Sequence, residues 1–128
     1  MAKSIERYFR LLPKTSFMRA GGRQWYPSAD VYQTRDGWIV KVELAGVAVD
    51  EVEVRVEGDM LYISGNRQDG FCSETLSCYQ LEITYSRFEK TIRFPCPIES
   101  AQLQRSYRDG LLILRLRSPE NCDEGQGA

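Results

Sequence analysis

The chain has 128 residues, 42% hydrophobic and 27% charged, with a formal net charge of −1, which is the size and composition of one globular domain. It contains no histidine, which excludes Ser-His-Asp and Cys-His catalysis and every zinc site that uses histidine. No glycine-rich phosphate loop and no apolar run of roughly 18 residues occurs, so we expect no enzyme activity, no cofactor, no metal site and no membrane partner.

The cysteines show no spacing that is typical of a metal or redox motif. They are Cys72, Cys78, Cys96 and Cys122, and no pair has CxxC spacing. The first residues lack the continuous apolar core of a secretory signal, so a cytoplasmic location is expected. Because that compartment is reducing, all four cysteines are predicted to be free thiols.

A basic arm, residues 1–26, precedes an acidic body. Residues 1–23 contain six basic side chains and one acidic side chain, a net charge of +5, and residues 24–128 therefore carry −6. Nucleic acid is not an expected partner, because the acidic body would repel phosphate groups.

Apolar residues of the arm recur at helical spacing. They are Ile5, Tyr8, Phe9, Leu11 and Leu12, and Pro13 ends the pattern. The pattern predicts a short amphipathic helix that packs on its own oligomer or on exposed apolar surface. A disordered tail, a targeting peptide and a membrane-surface helix stay open as alternatives.

From Tyr26 onward the apolar residues follow a period of two, which is typical of half-buried strands. The inward positions are Trp38, Val40, Val42, Leu44, Val52, Val54, Val56, Leu61, Ile63, Phe88, Ile92 and Phe94. Seven or eight strands without intervening helices predict an all-β fold, a two-sheet antiparallel immunoglobulin-like β-sandwich, over residues 27–117. Residues 118–128 are polar and acidic and are predicted to be a disordered tail.

The segment "DGLLILRLRSP" begins with a turn signal at Asp109 and has apolar residues on both faces. Leu112, Leu114 and Leu116 share one face, which should belong to the core. Leu111 and Ile113 occupy the other face, which we expect another surface to cover. A simple exposed pair is the alternative.

Four segments occur in a specific order and spacing: "ADVYQTRDGWIVKVELAGV", "VEGDMLYISGNR", "YSRFEKTIRFP" and "YRDGLLILRL". Together they resemble the α-crystallin domain of small heat-shock proteins, in the bacterial and plant-like branch, over about Pro27 to Arg117. The resemblance implies an ATP-independent holdase that binds unfolding client proteins and prevents their aggregation. A non-chaperone interaction scaffold that binds one defined protein partner is the alternative.

The resemblance also implies a homodimer formed by strand exchange. In that branch an alternating piece of the long connection, here residues 66–84, pairs with a partner's edge strand near residues 30–33. The implied interface residues are Cys78, Tyr79, Gln80, Leu81, Glu82, Lys90, Val31 and Tyr32. Lys90 stands where the family has an arginine and lacks its guanidinium fork. A loop folded back on its own sandwich is the alternative.

Assembly beyond the dimer should be limited. In the family a C-terminal Ile-X-Ile-type motif inserts into a groove between the strand with Val52–Val56 and the strand with Leu103. No such motif follows Ser118, and Arg105 stands where a small residue is usual, so we expect a small homo-oligomer, from dimer to dodecamer. The expected contacts with clients or with the arm are Ile5, Phe9, Leu12, Phe17, Trp25, Val54, Val56, Leu103, Leu111 and Ile113.

Overall fold

The structure is a computed structural model, and it describes residues 23–70 and 77–118. Seven strands lie within these ranges: β1 (Ala29–Thr34), β2 (Gly37–Glu43), β3 (Glu53–Glu57), β4 (Met60–Asn66), β5 (Arg87–Arg93), β6 (Gln102–Arg108) and β7 (Leu111–Arg117). A 3-10 turn, Val49–Glu51, precedes β3. The predicted helix of the arm and most of the predicted tail lie outside the described residues.

The strands form two antiparallel sheets, which confirms the predicted all-β sandwich. Sheet A has the order β1-β2-β7-β6 and sheet B has the order β3-β4-β5. Arg105 of β6 donates hydrogen bonds to the carbonyl oxygens of Val49 and Val52, so β6 and β3 lie at the same edge of the sandwich. The strands β1 and β5 therefore share the opposite edge.

The core consists of alternating side chains from both sheets, as the period of two predicts. The fully buried aliphatic and aromatic side chains are Val40, Val42, Leu44, Leu61, Ile63, Phe88, Leu112, Leu114 and Leu116. Trp38, Val54, Val56 and Ile92 are half-buried and pack against this cluster. Burying one such large side chain contributes about 1.5–3 kcal/mol, so the inner faces dominate the stability of the sandwich.

Tight turns connect β3 to β4 and β6 to β7, the second of them at the predicted Asp109. Asp109 and Gly110 have φ values of 54° and 79°, as the two central residues of a type I′ hairpin turn require. Gly58, with φ of 61°, begins the turn between β3 and β4. These turns set the register that places Leu112 opposite Tyr107 and Leu61 opposite Val56.

The prediction of four free thiols is wrong for Cys96, which is disulfide-bonded. Cys78 is free and half-buried, and Cys72 and Cys122 lie outside the described residues. A disulfide needs a Cα separation of about 4–7 Å between its cysteines. Sequence spacing and the expected compartment carry no information on which cysteines the folded chain brings that close.

Membrane-spanning helices and metal clusters are both absent from the described part of the chain. No helix there is long and apolar enough to cross a membrane. No group of three or more histidine, cysteine, aspartate or glutamate side chains within residues 23–70 and 77–118 is placed to hold a metal ion.

Candidate functional site

The candidate site comprises two edges of the sandwich and the segment 77–84 between β4 and β5. At the first edge, β1 pairs with β2 alone among the described strands, so no further strand within residues 23–70 and 77–118 covers its other side. Sheet A has one strand more than sheet B and extends past it here, and Val31, on the inner face of β1, is 41% exposed. Tyr32 lies on the outer face, where the ammonium of Lys41 is 5.1 Å from its ring centroid. This edge therefore offers hydrogen-bonding groups and an apolar side chain together.

The segment 77–84 exposes apolar side chains at every second position. Tyr79, Leu81 and Ile83 are 56%, 40% and 59% exposed, and residues 77–82 belong to no strand of their own subunit. The intervening Gln80 and Glu82 are exposed as well, and Cys78 is half-buried. An alternating apolar face outside any sheet is the pattern of a strand without a partner. Sequence reasoning missed Ile83, although it continues the same alternation.

Lys90 lies at the same edge as Val31, on the other sheet. In β5 it pairs with Ile63, whose side chain is buried, so Lys90 is on the inner face of sheet B and is half-buried. The structure thus brings two of the predicted interface residues to one edge of the sandwich, from strands that are far apart in the chain. The single ammonium of lysine serves as a point charge there and cannot form a bidentate pair with a carboxylate.

The second edge is a groove between β3 and β6. Its apolar residues are Val54 and Val56, which are half-buried, and Leu103, which is exposed. Next to them lies a cleft of about 410 Å³ lined by Val49, Asp50, Arg105, Ser106 and Tyr107. The hydroxyl of Tyr107 donates a 2.9 Å hydrogen bond to the carbonyl oxygen of Leu44, which holds β6 against the end of β2.

Arg105 crosses this groove instead of extending into solvent. Its Nη2 atom donates to the carbonyl oxygen of Val49 at 3.0 Å and to that of Val52 at 3.1 Å. From a strand of sheet A, the guanidinium therefore satisfies two main-chain acceptors in the turn that leads into β3, and it occupies space that a small residue would leave open. That a charge at this position disfavours an apolar plug stays a prediction. Its physical reason is that a plug would have to displace a guanidinium bonded to Val49 and Val52.

Arg105→Ala should lower the free energy of unfolding by about 1–2 kcal/mol, because two charge-assisted hydrogen bonds are lost at a partly exposed site. Urea denaturation followed by circular dichroism measures the change. Arg108→Ala on the same strand is the matched control, since its ion pair with Asp109 is exposed, and it should change stability by less than about 0.5 kcal/mol. Equal losses in the two variants would contradict a bridging role for Arg105.

Trp25, an expected client contact, is already packed within its own chain. Its ring lies edge to face against Phe88, with centroids 5.2 Å apart, and the guanidinium carbon of Arg67 is 3.6 Å from its ring centroid. The same guanidinium donates to the carbonyl oxygens of Thr84 and Ala45. Burial lowers the pKa of Arg67, an effect that nearby Tyr85 partly opposes. Sequence reasoning missed Arg67, for which the segment "ISGNR" was the only signal.

The remaining expected contacts do not form one surface. Leu111 and Ile113 lie on the outer face of sheet A, between β2 and β6, and are half-buried. The arm contacts lie outside the described residues, and they are Ile5, Phe9, Leu12 and Phe17. The interface residues and the groove residues therefore occupy opposite edges of the sandwich, and Leu111 and Ile113 occupy one of its faces.

The matches to known proteins agree on one family. The Hsp20/alpha crystallin family matches residues 30–126. Heat shock protein 16 of Schizosaccharomyces pombe is 31% identical over 96 residues, which cover 73% of this chain and 67% of that protein. Spore protein SP21 of Stigmatella aurantiaca is 27% identical over 103 residues, covering 80% of this chain and only 61% of that longer protein.

The fold agrees with the sequence match. The solved structure of heat shock protein 16.0 from Schizosaccharomyces pombe has a TM-score of 0.69 to this chain at 29% identity, covering 76% of this chain and 90% of that one. The family match extends over most of the chain and includes all seven described strands except the first residue of β1. The resemblance carried by the four sequence segments is confirmed, and the chain belongs to the Hsp20/alpha crystallin family.

Proposed function

We propose that the protein is an ATP-independent holdase, a chaperone that binds unfolding proteins and prevents their aggregation. Membership of a family of small heat-shock chaperones supports chaperone activity. The observation that carries the proposal is the outer edge of β1, which no further described strand covers, together with the exposed side chains of Val31, Tyr79, Leu81 and Ile83. An unfolding chain exposes apolar side chains and unpaired main-chain groups, and an edge of this kind offers partners for both.

A holdase of this kind requires binding surface and charge, and no catalytic step. Binding the unfolded state by mass action withdraws it from aggregation, so neither a cofactor nor nucleotide hydrolysis is needed. The net charge of −6 on residues 24–128 would keep a loaded complex dispersed. The cytoplasmic location stays a prediction.

Homodimerisation by strand exchange is part of the proposal. The segment 77–84 of one subunit would pair with β1 of the other, so that its alternating apolar face covers Val31. Lys90 lies at the same edge and would face the incoming segment. The basic arm would then link dimers into a small oligomer, because its apolar stripe, if left exposed to water, would cost about 25 cal/mol per Å².

The test is an aggregation assay with a heat-labile model client. We expect the protein at equimolar ratio to suppress light scattering by the heated client, equally with and without ATP. Protection that requires ATP would contradict the mechanism. Absence of protection for every client tested would favour the alternative function, a scaffold that binds one defined protein partner.

A further inference from the structure

Arg67 joins segments of the chain that are distant in sequence. Its main-chain N–H donates to the carbonyl oxygen of Ser86 at 2.9 Å, which continues the pairing of β4 with β5. Its Nε and Nη2 atoms donate to the carbonyl oxygen of Thr84 at 3.0 and 2.7 Å. Its Nη1 atom donates to the carbonyl oxygen of Ala45 at 3.2 Å. One side chain thus holds both ends of the β4–β5 connection against the end of β2.

The same side chain also holds the segment that leads out of the arm. The guanidinium lies over the ring of Trp25. The main-chain N–H of Trp25 donates to the hydroxyl oxygen of Ser86 at 3.1 Å. Gln24 Nε2 donates to the carbonyl oxygen of Arg87 at 3.1 Å. The last described residues of the arm and the last residues of the connection therefore form one contact cluster, which we call the Arg67 junction: Trp25, Ala45, Arg67, Thr84 and Ser86.

The geometry of this junction requires an arginine. A planar guanidinium binds one carbonyl oxygen with two N–H groups and a second with a third, and its face stays free to stack on an indole. A lysine ammonium at the end of a flexible chain keeps the charge, but it cannot make the fork and the stack together. The charge is partly buried, so the carbonyl oxygens and the indole ring compensate for the lost hydration.

We propose that Arg67 is a positioning residue that couples the arm to the exchange segment 77–84. Thr84 is the last residue of that segment, so a partner that binds the segment acts directly on the Thr84 carbonyl and hence on the guanidinium that covers Trp25. Coupling is reciprocal, so the placement of the arm at Trp25 also biases the segment toward or away from a partner. The inference rests on the proposed exchange dimer.

The test measures dimer affinity and the environment of Trp25 in the full chain. The chain has two tryptophans, so Trp38→Phe leaves Trp25 as the only indole fluorophore. In this background, dilution through the dimer dissociation range should shift Trp25 emission. Arg67→Lys should weaken the dimer by about tenfold, a typical size for an allosteric coupling, and abolish the dependence of Trp25 emission on dimerisation.

Arg55→Lys is the matched control. The Arg55 guanidinium lies 4.6 Å from the ring centroid of Tyr62, and it joins only the neighbouring strands β3 and β4. This variant should dimerise within about twofold of the parent, as expected for an exposed surface contact. Circular dichroism establishes that both variants are folded.

Two results would overturn the inference. One is an Arg67→Lys variant that dimerises as the Arg55→Lys variant does, and the other is one whose Trp25 emission still follows dimerisation. If the parent protein is monomeric at every concentration, the exchange dimer is wrong. Amide hydrogen exchange then tests whether Arg67 couples the arm to the segment. Coupling requires Arg67→Lys to speed exchange both at Trp25 and in residues 77–86, whereas faster exchange at one of these places alone would contradict it.

Discussion

Deletion of residues 68–82, with Arg67 joined to Ile83 through two glycines, should convert the dimer into a folded monomer. The sandwich closes without the connection, because Arg67 pairs with Ser86 through the main chain and holds Thr84 at 2.7 Å. None of the described residues from 77 to 82 is buried, so the core loses no side chain of that stretch. Sedimentation velocity measures the mass and circular dichroism measures the fold.

Serine substitutions test the apolar face of the segment without changing its length. Tyr79→Ser, Leu81→Ser and Ile83→Ser together should weaken the dimer by roughly a hundredfold or more, because burial of each such side chain contributes about 1.5–3 kcal/mol. Leu103→Ser removes another exposed apolar side chain, on β6 at the opposite edge of the sandwich, and should leave the dimer intact. If the deletion variant stays dimeric, strand exchange is wrong and another surface holds the subunits together.

Replacement of Phe9, Leu12 and Phe17 by serine should abolish client protection and leave the sandwich folded. These side chains belong to the apolar residues of the arm, which would adapt to many client sequences, and all three precede the period-two pattern that begins at Tyr26. Light scattering by the heated client measures the loss, with circular dichroism as the check on folding. Protection that persists in the triple variant would place client binding on the sandwich edges alone.

Replacement of the basic residues Lys3, Arg7 and Arg10 by serine is the matched control for the arm. It lowers the charge and leaves the apolar stripe in place, so client protection should be largely retained. Removal of residues 1–23 should reduce the assembly to dimers, because the proposed strand-exchange interface uses only residues of the sandwich and the segment 77–84. An unchanged sedimentation profile would contradict the role of the arm in assembly.

The core of the sandwich follows from local sequence patterns alone. Alternation in "WIVKVEL" and "LLILRLR" predicts Val40, Val42, Leu112 and Leu114 as inward residues, and all four are fully buried. Such prediction succeeds because the side chains of a strand alternate between faces, so a local pattern reports which face meets the core. The order and spacing of four segments likewise identify the family, because each segment carries its own strand and turn signals.

The unpaired strand edges and the polar side chains that cross between segments follow instead from the packing of the whole fold. Arg105 bonds to Val52, 53 residues earlier in the chain, and Arg67 stacks on Trp25. The disulfide of Cys96 and the exposed position of Val31 on the last strand of a four-stranded sheet also depend on the packing of the whole fold. Periodicity carries no information on the separation of residues that are distant in sequence, because those distances follow from the stacking of the two sheets.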